Sequence, residues 1–192
     1  MKKLSVIIAT VLFSFGVANA VVVPTGDDSN KASHGVEITI PTVAIVDIEG
    51  QNGESPTINL IPEVNGLEAG AAVDFSSATN NDLWLNYTSI VKSNQKRNIT
   101  AAISGNLPAG VSLKVKAGTD ASLGNGAAGS PESEITLEST AKNVITGIGS
   151  AYTGDGYKNG HQLTYTLDMN DEKYADLAAN DYNVTVKYTI TE

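Results

Sequence analysis

Two imidazoles and no thiol limit the chemistry open to this chain: His34 and His161 are its only histidines, and it has no cysteine. A cysteine nucleophile and a disulfide are therefore excluded by composition. Ser-His-Asp catalysis would have to recruit one of the two histidines. His34 lies in a polar stretch beside Gly35 and reads as exposed. His161 stands between Gly160 and Gln162 at the mouth of a strand, with no serine in a G-x-S-x-G setting, and reads as structural. Two histidines so placed do not make the usual three-ligand zinc site. The acidic group Asp168, Asp171, Glu172 and Asp176 lacks the D-x-[DN]-x-[DN]-G spacing that wraps oxygens around calcium, and reads as a solvated turn. There is no glycine-rich phosphate loop and no basic stripe. A glycosidase-type carboxylate pair would call for exposed aromatic platforms, and Trp84, the single indole, has a strand context that places it in the core. The sequence thus predicts no catalytic residue, no metal site and no cofactor, and a non-enzymatic protein.

Binding has a better candidate. Residues 147–160 are glycine-rich and carry Tyr152, Asp155, Tyr157, Lys158 and Asn159. Flat rings beside adaptable amides and a carboxylate suit a polar ligand such as a polysaccharide. The same composition also describes a solvated loop. Residues 118–133, rich in Gly, Ala and Ser, read as a mobile connection.

These residues need a frame, and period-two alternation supplies it. Tyr182, Val184, Val186, Tyr188 and Ile190 alternate with polar partners, which predicts a strand with one wet face. The pattern recurs at Val36, Ile38 and Ile40, at Ile99, Ala101 and Ile103, at Val111, Leu113, Val115 and Ala117, and at Leu163, Tyr165 and Leu167. Less regular strands are expected over residues 43–49, 57–61, 72–75, 83–91, 134–138 and 143–148, with the 83–91 run central because both of its faces carry large groups. Turn signals punctuate the runs, among them residues 51–53, 80–82 and 154–156. Helical periodicity after the N-terminus is confined to one or two turns in residues 171–179, behind Asn170 as cap. Together these predict an all-β protein, an antiparallel immunoglobulin-like β-sandwich of about nine to eleven strands. Tyr182 follows the Leu177 to Asp181 stretch as the tyrosine of a tyrosine corner does, its hydroxyl bonding back to upstream backbone, or serves as an ordinary strand tyrosine.

The N-terminus reads as an export signal over residues 1–20: Lys2 and Lys3, an apolar run over residues 4–17, then Ala18, Asn19 and Ala20. The run falls short of the roughly 20 residues that a membrane-spanning helix needs, so cleavage is expected, with no membrane anchor in the mature chain. Residues 21–35 read as a flexible leader and residues 36–192 as a single sandwich domain. The expected location is secreted, periplasmic or cell-surface, in a bacterium. The chain carries 21 acidic against 12 basic residues, a formal net charge of −9 that repels phosphate backbones and argues against nucleic acid as a partner.

An exported, glycine-rich sandwich whose last alternating strand, residues 181–191, closes the chain, with residues 147–156 ahead of Leu163 to Leu167, resembles bacterial pilin-type subunits, including the spore-coat-U-like group. The cysteine pair usual in such subunits is absent. The resemblance implies an incomplete immunoglobulin-like fold, completed by a strand from the next subunit, and a structural or adhesive role with copies of itself or other surface subunits as partners. The donor would come from the N-terminal region, where the best alternating residues are Val36, Ile38 and Ile40, followed after Pro41 by Val43 and Ile45. Those residues serve equally as the first strand of a self-sufficient domain.

Overall fold

The computed structural model describes residues 32–51 and 57–191, so the expected signal sequence (residues 1–20) and most of the leader (residues 21–35) lie outside the described residues. The chain divides into two units at Ile40 and Pro41. In the first, residues 32–40 form no regular element, and Val36, Ile38 and Ile40 are 72%, 79% and 74% exposed. The strand expected over residues 36–40 is therefore not formed there. Alternation makes a segment suitable for a sheet, but a strand exists only where another strand supplies the ladder.

The second unit is all-β. Its strands are β1 (Val43–Glu49), β2 (Thr79–Ile90), β3 (Arg97–Gly105), β4 (Val111–Asp120), β5 (Asn125–Gly126), β6 (Ser130–Pro131), β7 (Ile135–Thr136), β8 (Lys142–Ile148), β9 (Ala151–Tyr152), β10 (His161–Met169) and β11 (Val184–Ile190). Every pairing is antiparallel. One sheet runs β5-β9-β2-β10-β4-β7, with β1 on β2; the other runs β11-β3-β8-β6. Both contribute to one core, Leu83, Leu85, Val115, Leu163 and Tyr165 from the first and Ile99, Ala101, Val144, Ile145 and Ile148 from the second. Each buried Leu, Ile or Val among them stabilises the fold by about 1.5–3 kcal/mol relative to leaving it in water. The architecture is thus two antiparallel sheets about a shared apolar interior, sandwich-like.

Several expectations need correction. Residues 80–82 carry turn chemistry, yet they lie inside β2, where the ladder to β10 absorbs them with a register shift opposite Leu163 and Tyr165. Residues 57–61 and 72–74 form no strand, and Phe75–Ser77 is a single 3-10 turn capped by the Asp74 carboxylate, which accepts from the Ser76 amide. The expected strand over residues 134–138 shrinks to β7, and residues 118–133 include β5 and β6. The helical signal in residues 171–179 is a 3-10 helix, Asp171–Asp176, whose cap is Asn170 accepting from the Glu172 amide. Among the described residues, no helix is long and apolar enough to cross a membrane.

Candidate functional site

Strand β2 aims Leu83, Leu85 and Tyr87 into the core and therefore turns Trp84 and Asn86 to the opposite face. Trp84 is half-buried there against Tyr157, ring centroids 6.5 Å apart and nearly perpendicular, so it is not the core residue the sequence suggests. Residues 153–160 are pinned at both ends. Thr153 is fully buried and its amide donates to the Tyr87 carbonyl, while the Asn86 amide donates to the Gly156 carbonyl at 2.9 Å. Gly160 lies so close to β2 that a Cβ would run into the Leu85 carbonyl, and its φ of +68° also favours glycine.

The ligand candidates of this region do not act as one group. Asn159 uses its amide to hold the Asp155 carbonyl inside the loop, and Tyr157 packs on Trp84 with the Lys158 ammonium 5.4 Å from its ring centroid. Asp155 is exposed. Tyr152, 52% exposed, stands in β9 and lines a separate shallow hollow with residues 88–90, 125–126 and 150–151.

His161 is fully buried. Its Nδ1 lies 2.8 Å from the Gly118 carbonyl, which can only accept, so Nδ1 carries the proton. Nε2 lies 3.0 Å from the Tyr87 hydroxyl, whose one proton is shared between Nε2 and the Ala128 carbonyl. Burial pushes the His161 pKa down, opposed by the Gly118 carbonyl and by the Asp120 carboxylate. The group ties β2, β4 and β10 together and has no exposed face for a substrate. His34 is exposed. The acidic turn is partly neutralised, Asp168 pairing with Lys114 at 2.8 Å and Asp176 with Lys173 at 3.5 Å. Among the described residues, no three His, Asp or Glu side chains group closely enough to hold a metal ion.

The margins of the sheets are the other candidate site. Margins made by β5, β6 and β7 are two residues long, whereas β1 and β11 are seven residues each. The Thr191 amide donates to the Asn98 carbonyl at 2.8 Å, which fixes the phase of the edge. By alternation the amides and carbonyls of Thr185, Lys187 and Thr189 face β3, and those of Val184, Val186, Tyr188 and Ile190 face away. Among the described residues, no backbone partner meets those outward groups. Their side chains remain only half-buried against the core. Tyr188 bonds across to the Tyr165 hydroxyl at 2.8 Å, and burial raises both phenols, Tyr165 to about 12. On β1, Val43 is half-buried and Ile45 is 61% exposed. β1 and β11 approach within 8 Å between Cα atoms in places, with no ladder joining them. At the head of β11, the Tyr182 hydroxyl donates to the Ala178 carbonyl at 3.0 Å.

Sequence reasoning passed over one feature: Lys92, Lys96 and Arg97 fall within six residues of an acidic chain and line a hollow at the β2–β3 turn. The signal was the local reversal of charge. No known protein family, curated protein or solved structure matches this chain.

Proposed function

We propose that the protein is an exported, non-enzymatic structural or adhesive subunit with an immunoglobulin-like sandwich, which assembles by strand addition. Residues 36–40 of one copy lie along β11 of the next. The observation that supports this reading is the row of outward backbone groups at Val184, Val186, Tyr188 and Ile190, each beside an apolar side chain that is only half-covered. An added strand satisfies those groups, and its own inward residues, Val36, Ile38 and Ile40, extend the core. Such a strand lies about 4.8 Å from β11, so it fills the seam by moving β1 outward where the two approach most closely. Donor and acceptor surfaces differ, so the contact is heterologous and propagates into a fibre. Purified chain spanning residues 21–192 is expected to give SDS-resistant ladders that vanish when residues 36–40 are deleted. Ladders that persist after the deletion, or a strictly monomeric full-length chain, contradict the reading.

A second reading, a monomeric module for a polysaccharide or another polar ligand, draws support from Tyr152, whose ring is exposed over a hollow edged by Asn125 and Ser150. Retention on immobilised glycan that is lost in Tyr152→Ala is its expected signature.

A further inference from the structure

Arg97 is the only arginine in the chain and opens β3 directly after the turn made by residues 92–95. That turn is closed by the Gln95 amide donating to the Lys92 carbonyl at 3.0 Å, with Asn94 at φ 64°. It sets Lys92 and Lys96, both exposed, around a hollow of about 300 Å³ whose other walls are Thr42, Val91, Gln95 and Arg97 itself. Arg97 is 7% exposed. One guanidinium nitrogen, Nη1, donates to the Thr191 carbonyl at 3.1 Å. Among the described residues, the buried Nε has no partner and no carboxylate lies within 4.0 Å of Arg97, Lys92 or Lys96.

A buried guanidinium without a counter-ion carries a desolvation cost that an anion offsets. With Nη1 engaged, the edge formed by Nε and the second terminal nitrogen is left, and it presents two parallel N–H groups. That edge matches the two oxygens of a carboxylate. We infer that the hollow at the β2–β3 turn is a carboxylate-binding site, with the Nε edge of Arg97 as its fork and Lys92 and Lys96 as its flanking charges. The size is at the lower end for ligand pockets, room for one sugar acid or one acidic side chain. Elsewhere the acidic surface disfavours such a group, so local charge reversal concentrates it here. The inference stands on Arg97 and not on strand addition. Two sources offer the same chemistry: a free small acid, or the leader of another copy, which carries Asp27 and Asp28.

The test is an NMR titration of the chain spanning residues 21–192, reading the Arg97 Nε–H and the Lys96 and Arg97 amides. Probes are glucuronate, a synthetic peptide of residues 21–35 and inorganic phosphate, each against sodium chloride at the same ionic strength. Saturable shifts are expected with a carboxylate probe; glucuronate response alone identifies a small acid, and tighter peptide binding identifies the leader. Arg97→Lys, which keeps the charge and loses the fork, is expected to weaken binding about tenfold or more. The exposed pair Lys92→Gln and Lys96→Gln, which leaves the core untouched, should weaken it about fivefold. The inference is overturned if carboxylates shift nothing beyond chloride, if only phosphate binds, or if both variants bind as the parent does. A loss of melting temperature in Arg97→Lys with unchanged binding would likewise overturn it, leaving Arg97 as a clamp on Thr191. Failure of ladder formation with the titration intact would sink the assembly reading alone.

Discussion

The middle of the first sheet and the outer margin of the second are built from the same kinds of residue in opposite states of completion. In the middle, Leu85, Leu163 and His161 are fully buried, and the polar atoms of His161 meet Gly118 and Tyr87. At the margin, β11 repeats the alternation of β10, yet its apolar side chains are half-covered and every second residue turns its backbone outward without a partner among the described residues. The contrast separates residues whose task ends with folding from residues that still have free energy to gain from contact. Long edges of this kind invite another strand, and proteins that must stay alone blunt them.

Core substitution sharpens the contrast most. Leu163→Ala should destabilise the isolated domain by about 2–5 kcal/mol, whereas Val186→Ala should cost only about 1 kcal/mol in the monomer and yet strip the ladders from SDS gels. Urea unfolding of both variants, run beside the gel assay, gives the two numbers. Comparable losses of stability would mean that β11 is as finished as β10.

A pH series probes the middle alone. Burial holds the folded-state pKa of His161 below its ordinary value of 6.5, so the folded form resists protonation more than the unfolded chain does. Stability from this group is complete above about pH 6.5 and is lost as pH falls below it toward the lowered folded pKa. Urea midpoints between pH 5 and 8 should therefore decline toward acid, and the part of the slope between pH 6.5 and the folded pKa should disappear in His161→Gln. Assembly through β11 should be indifferent to that substitution.

The smallest effect concerns the head of β11. Tyr182→Phe removes the bond to the Ala178 carbonyl and should cost about 0.5–1.5 kcal/mol, read as a lowered melting temperature. A neutral result would mean that this bond contributes nothing to the fold.

Much of the frame was legible because period two is a local property: β3, β4, β10 and β11 stand where alternation put them. Residues 36–40 show the limit of that signal. They alternate as well as β11 does, but pairing is decided by what lies alongside, and a pattern does not carry its partner. Residues 80–82 show the reverse, turn-forming types held in a strand by β10. Trp84 lies off the core, against its strand context, because both faces of β2 carry large groups and only the fold says which face looks inward. The Arg97 hollow was invisible for a related reason, since its burial and its bond to Thr191 join residues 94 apart in sequence. Likewise Tyr87 and His161, 74 residues apart, could not be linked from spacing.

Amide hydrogen exchange along β11 measures the claimed incompleteness directly. In the monomer, the amides of Thr185, Lys187 and Thr189 should be protected and those of Val184, Val186, Tyr188 and Ile190 should exchange rapidly; adding a peptide of residues 32–42 should slow the second set to the rate of the first. Equal protection of all seven in the monomer, or no change with peptide, would contradict an open edge awaiting a strand.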